Sequence, residues 1–265
     1  MKIAFAGKGG TGKTTLSALL IRLLADKESE VLAVDCDPDS NLGIALGFKD
    51  ADKITPIIKM EGLIRERMDV SADGTLFKLN PKIDDIPDKF SRKSGNIKLI
   101  VMGAIKKGGS GCACPENAFV KNLIEHLVLK RGEDIVMDME AGVEHFGRGT
   151  AQSCDSVLVV VEPSQKSIES AKRITSLAKD LGIKNIHGVG NKTRSQDDRK
   201  FMQDRLKGTL ELIEAVPFSK EILAMDKTGS IANVNGDILN RIKNINSFLA
   251  SLEAIHGRRK IQGDG

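Results

Sequence analysis

The stretch Gly7–Thr14 reads GKGGTGKT, and its reading decides the fold. It satisfies G-x-x-x-x-G-K-[ST], a loop whose glycines let backbone N–H groups converge on a phosphate. The flanks are those the pattern requires. Ahead of it, Lys2–Ala6 (KIAFA) is a short apolar run of strand type. Behind it, Lys13–Ala25 (KTTLSALLIRLLA) reads as a helix, whose N-terminal dipole favours an anion. Lys13 is expected to reach the β- and γ-phosphates, and Thr14 to hold Mg²⁺. Gly9, Gly10, Thr11, Gly12 and Thr15 complete the cradle. Gly7, Gly9 and Gly12 also spell G-x-G-x-x-G, with Asp35 closing the next strand, which are marks of a dinucleotide site. Two facts favour a nucleoside triphosphate. Lys-Thr follows the last glycine directly, and another acidic strand end, Asp138, stands where a Walker B residue belongs.

Outward from the loop, apolar β-branched runs alternate with helical patterns. The runs are Val31–Asp35, Ile97–Gly103, Asp134–Met139, Ser156–Glu162, Ile186–Gly190 and Leu210–Val216. Several are apolar on both faces, as strands buried between two helical layers are. Helices are expected at Pro115–Lys130, Ser164–Leu181, Ser195–Leu206 and about Asp237–Ala254. The βα order predicts an α/β fold: one doubly wound, mostly parallel sheet flanked by helices, in a single domain spanning 1–265. Within residues 47–96, ITPIIKMEGLIRERM looks helical, and NPKIDDIPDKFSRKSGN reads as an excursion from the sheet. The last helix sets Ile238, Ile242, Ile245, Leu249 and Leu252 on one face, a stripe for core packing. The glycines of the tail HGRRKIQGDG are expected to keep that helix from extending as an anchor.

Composition narrows the function classes. Hydrophobic residues make up 40% of the 265, and aromatic residues 3%, with no Trp or Tyr. Stacking platforms for single-stranded nucleic acid are thus largely missing. The net charge of +4 does not call for DNA or a membrane as partner. No apolar run reaches membrane-span length, and none resembles a signal peptide. A cytoplasmic protein follows as the expectation. In that reducing compartment a close cysteine pair points to metal or redox chemistry rather than a structural disulfide. Cys36 and Cys154 read as core residues.

Lys8 is a second lysine inside the loop, beside a phosphate already served by Lys13. Such a residue can reach the nucleotide of a facing subunit, as an arginine finger does in trans. VLAVDCDPDSNL places Asp35, Asp37 and Asp39 at the end of the second strand, and Asp39, Ser40 and Asn41 fit a helix N-cap. Asp138-x-x-x-Gly142 has the form of a Walker B aspartate and a switch glycine. Asp138 is expected to hold Mg²⁺ through water, with Gly142 free to move when the γ-phosphate leaves.

KKGGSGCACPENAF carries Cys112 and Cys114 between a glycine-rich turn and a helix opening near Pro115. A thiolate at a helix N-terminus is stabilised and ligates metal better. Two thiolates under-coordinate a soft cation. Paired across a dimer twofold they become four, enough for tetrahedral Zn²⁺, an iron–sulfur cluster, or Ni²⁺. A buried inert pair and a reversible disulfide are the alternatives.

The loop resembles the deviant Walker A of the MinD, ParA, ArsA and nitrogenase-reductase group, in the SIMIBI class of P-loop NTPases. That resemblance implies a dimer with two sandwiched ATPs, Lys8 acting across it, and Asp37 positioning the attacking water. It assigns Asn191 (in NK), Pro217 and Phe218 (in VPF) to the base, and so implies adenine. KGGTGKTT, DCDPDSN, NPKIDDIP, VMGAIKKGGSGCACPEN and DMEAGVEHFGRG resemble the CooC-type accessory ATPases of carbon monoxide dehydrogenase. This implies an ATPase that binds Ni²⁺ or Zn²⁺ through Cys112 and Cys114 at a homodimer interface. Its partner would be carbon monoxide dehydrogenase, into which it assists nickel insertion, with no nucleic acid or membrane partner. GSGCAC also resembles the first cluster-ligand segment of nitrogenase reductase. The second ligand of that protein would fall at His145, which puts a bridging [4Fe–4S] cluster in doubt. An Fe–S electron-transfer ATPase and a MinD/ParA-like positioning ATPase are the rival readings.

Overall fold

The computed structural model describes residues 1–262 except 28, 73–75, 104–113, 144, 145, 147, 229, 230, 232, 233 and 235. It leaves undescribed the side chains of 130, 148, 149, 152, 226–228 and 255–262. In chain order the elements are β1 (Lys2–Gly7), α1 (Lys13–Ala25), β2 (Val31–Cys36), α2 (Leu42–Ala45), α3 (Glu61–Met68) and α4 (Ile86–Phe90). Then come β3 (Arg92–Ser94), β4 (Ile97–Val101), α5 (Pro115–Lys130), β5 (Asp134–Met139), α6 (Arg148–Ser153) and β6 (Ser156–Val161). The chain closes with α7 (Gln165–Asp180), β7 (Ile186–Thr193), α8 (Gln196–Leu206), β8 (Leu212–Pro217), α9 (Lys220–Thr228) and α10 (Asp237–Gln262).

One sheet runs β3-β4-β2-β5-β1-β6-β7-β8, parallel throughout except for β3, which pairs antiparallel with β4. Successive strand residues feed opposite layers. Ile3, Phe5, Val31, Ala33, Leu158 and Val160 pack on α1 and α10. Ala4, Ala6, Leu32, Val34, Val157 and Val159 pack on α5, α7 and α8. This two-sided burial is why the strands read as unbroken apolar runs. From β1 the chain leaves to β2 beyond β5, and β6 later fills the other flank of β1. The loop after β1 therefore opens at the switch point where ligands bind in such sheets.

Three expectations need correction. Ile54–Met68 is not one helix. Pro56 starts a 3₁₀ turn at Ile57–Lys59, and the α-helix begins only at Glu61. Residues 80–96 do not stay away from the sheet. Ile83 and Ile86 are buried, and β3 extends the sheet by one strand whose side chains are all exposed, so no hydrophobic alternation marked it. The last helix does not stop near Ala254 but continues to Gln262. One internal glycine, Gly257, costs about 1 kcal/mol of helix propensity, too little to terminate it. No described helix is long and apolar enough to cross a membrane.

Candidate functional site

The loop after β1 takes a path that only glycine allows. Gly12 has φ +93°, and a Cβ there would stand 2.3 Å from the Asn191 amide nitrogen. The loop thus lies hard against β7. Asn191 Nδ2 donates to the Thr11 carbonyl at 2.7 Å, and Lys192 Nζ donates to the Gly10 carbonyl. Thr11 is buried, and its hydroxyl donates to the Lys8 carbonyl at 2.8 Å. These bonds pin the loop backbone against β7.

Lys13 opens α1 and is 5% exposed, with Nζ donating to the Lys8 carbonyl at 3.5 Å. Burial lowers its pKa, and Asp138, Asp37 and Glu140 oppose that shift. Asp138, on β5, is buried, and neither carboxylate oxygen has a hydrogen-bond partner. Burial pushes its carboxyl up to about 7. Asp35 and Asp37 add to the rise, and Lys13 opposes it; so does the Thr14 hydroxyl, near but short of hydrogen-bond geometry. A buried acceptor with both oxygens orphaned, next to a hydroxyl, suits a hard cation and its water shell.

Asp35 sits beside Asp138 in register across β2 and β5. Its two oxygens accept from the N–H groups of Asp37 at 3.0 Å and Leu42 at 3.0 Å. Burial drives this carboxyl to about 7 against those two bonds. Here the N-cap expectation fails. Asn41 occupies the cap position of α2 without a side-chain cap bond, and the strand-end carboxylate of Asp35 takes the first helical N–H instead.

A cleft of about 690 Å³ gathers Gly9, Gly10, Gly12, Lys13, Thr14, Thr15, Asp37, Asn191, Pro217 and Phe218. Thr11 packs behind the loop, and Lys8, half-exposed, is not among the lining residues. The same cleft takes in Asp39, Asn41, Ile44, Lys192, Ser219, Leu223 and Ile231; Asp39 and Asn41 come from VLAVDCDPDSNL and Lys192 from NK. No motif marks Ile44 or Leu223 in the sequence; they are 38% and 50% exposed. Phe218 is 37% exposed, and the Arg194 guanidinium lies 5.1 Å over its ring.

Cys112 and His145 lie outside the described residues. Cys114 is described: half-buried, a free thiol, and at the N-cap position of α5. Its segment leaves the sheet at Gly103, where φ is +79° and a Cβ would meet Ile58 at 2.7 Å. Just before it, the Met102 N–H donates to the Asp35 carbonyl at 2.8 Å. Among the described residues no group of three or more His, Cys, Asp or Glu side chains is arranged to hold a metal ion.

The comparisons agree with this geometry. Residues 2–232 match the family described as the CobQ/CobB/MinD/ParA nucleotide binding domain. The carbon monoxide dehydrogenase accessory protein CooC of Rhodospirillum rubrum is 46% identical over 86% of this chain and 88% of its own length. An uncharacterised ATP-binding protein of Methanocaldococcus jannaschii is 41% identical, over 96% of this chain and 99% of that one. Among solved structures, the septum site-determining protein MinD of Pyrococcus horikoshii, complexed with Mg-ADP, superposes with a TM-score of 0.66 at 19% identity. That match covers 96% of this chain and 97% of the other. A family match over nearly the whole nucleotide fold and a CooC relative at this identity place the chain in the CobQ/CobB/MinD/ParA nucleotide-binding family, as a CooC-type ATPase.

Proposed function

We propose that ATP binding and hydrolysis in this ATPase govern how a homodimer presents paired cysteines to a soft cation. The cation is Ni²⁺ or Zn²⁺, and the purpose is nickel delivery to carbon monoxide dehydrogenase. In this reading the N–H groups of Gly9–Thr15 and the Lys13 ammonium hold the phosphates. Thr14 and Asp138 hold Mg²⁺, which neutralises phosphate charge when bound. Asp37 orients the attacking water, and Lys8 reaches across the dimer. Asn191, Pro217 and Phe218 take the base.

The observation that carries the reading is the bond from the Met102 N–H to the Asp35 carbonyl. Asp35 anchors the loop bearing Asp37, and Met102 begins the segment that ends at Cys114. Strands β2 and β4 are hydrogen-bonded neighbours, with Asp35 opposite Val101. A shift of the loop after β2 on loss of the γ-phosphate is therefore passed to the root of the cysteine segment. That bond would couple nucleotide state to the start of the cysteine segment, and through it to metal affinity.

The test is anaerobic metal analysis of the purified protein with and without ATP, paired with light scattering for mass. The expected result is about one Ni²⁺ or Zn²⁺ per dimer, lost in the Cys112→Ser/Cys114→Ser double variant. Unchanged metal content in that variant would end the proposal. A brown protein absorbing near 410 nm would transfer the case to Fe–S electron transfer.

A further inference from the structure

Among the described residues, six large hydrophobic side chains are exposed: Ile44, Leu76, Leu79, Leu129, Phe218 and Leu223. Three of them, Ile44, Phe218 and Leu223, line the one cleft that also holds Lys13 and Thr14. Exposure of this kind is costly in water and is relieved by an apolar ligand surface. The phosphates occupy the glycine end. What remains for an apolar wall is the planar base.

The wall comes from three segments. Phe218 follows β8, and its ring is held by Arg194 on one face. Leu223 lies on α9, and Ile44 on α2, the short helix after the Asp37 loop. α2 is fixed at both ends. Its first N–H is taken by Asp35 at 3.0 Å, and the Leu46 carbonyl just past it accepts from Arg22 Nη2 at 2.7 Å. The Ala45 carbonyl also accepts from the N–H of Ile231, another lining residue, at 3.0 Å. Ile44 is thus an apolar side chain on a firmly held mount, partly exposed and lining the cleft.

We infer that Ile44 is a specificity-determining wall of the adenine slot, closing over the base from the side opposite β8. The loop that orients water and the surface that grips the base are then one continuous segment, Asp37–Ala45. This rests on reading the cleft as the ATP site.

Steady-state ATP hydrolysis by Ile44→Ala, Ile44→Leu and Lys13→Ala, with inorganic tripolyphosphate as a competitor lacking a base, tests it. Ile44→Ala is expected to raise KM for ATP about tenfold, with kcat within about twofold. Its inhibition constant for tripolyphosphate stays at the wild-type value, and Ile44→Leu restores KM. An unchanged KM, or an equal loss of tripolyphosphate affinity, would overturn the inference. So would a KM defect that disappears as protein concentration is raised, which would place Ile44 between subunits. Lys13→Ala keeps the two readings apart. If it hydrolyses ATP normally, the cleft is not the ATP site; if it fails while Ile44→Ala behaves as wild type, only the base wall is wrong.

Discussion

At the scale of single residues, the site is built on two buried carboxylates held at a cost. Asp35 and Asp138 are each pushed from 3.8 to about 7, chiefly by burial. In the unfolded chain both lose their protons near the ordinary value. Between about pH 4 and pH 7 the folded protein therefore holds more protons than the unfolded one. Stability contributed by the neutral forms is complete below that window and is lost as pH rises through it, by up to about 1.4 kcal/mol per pH unit for each group. With chelator present, the melting temperature is expected to fall from pH 5 to pH 7.5. Asp138→Asn should roughly halve that slope and stop ATP hydrolysis, as thermal scans and phosphate release will show. Lys8 is half-exposed and lies outside the lining of the cleft in its own subunit. Lys8→Ala is expected to bind ATP within about threefold of wild type and to lose at least about a hundredfold in kcat, the size of an absent finger residue. Titration calorimetry beside turnover separates the two effects.

Among elements, the glycine loop and β7 act as one unit. Gly12 permits both the left-handed turn and the approach of the Asn191 amide. A methyl group at this position strains the backbone by about 1 kcal/mol and drives into Asn191. Gly12→Ala is thus expected to weaken ATP binding at least about tenfold while leaving the fold intact, as fluorescence titration against circular dichroism will show. Helix α5 presents Cys114 because Phe119, Leu123, Ile124 and Leu127 bury its inner face completely. Phe119→Ala removes the first of these anchors and should cost about 3–5 kcal/mol in denaturant melts. The C-terminal helix is tied to the last strand by charge as well as by apolar packing. Burial raises the Glu214 carboxyl, and bonds from Asn244, the Ala215 N–H and Arg241 more than reverse it, leaving it below its ordinary value. Arg241→Ala leaves Asn244 and the Ala215 N–H to hold a nearly buried carboxylate. It is expected to cost about 2 kcal/mol.

For the molecule as a whole, the functional ends of the strands lie together. The loops after β1, β2, β4 and β5 leave the same edge of a parallel sheet. The glycine loop, Asp37, the segment reaching Cys114 and Asp138 therefore share one end of the molecule. Such a sheet can relay a change of one loop to its neighbour through a strand-end bond, without moving the core. This is the physical basis on which nucleotide state and cysteine geometry are expected to be linked.

The amino-acid pattern alone determined the strands and helices that carry nucleotide chemistry. GKGGTGKT permits few backbone paths, and two-sided apolar runs can be buried in few ways, so Lys13–Ala25 and Pro115–Lys130 were legible to the residue. It could not reveal β3, whose three side chains all face solvent, nor the length of α10, where a single glycine proved a weak stop. Only the tertiary structure decided that Asp35 rather than Asn41 caps α2, that Asn191 braces the Thr11 carbonyl, and that Ile44 is left bare at the cleft. Each of these depends on which distant strand ends come within hydrogen-bond or contact reach. Local periodicity records which face of an element is apolar; it holds no record of what that face meets.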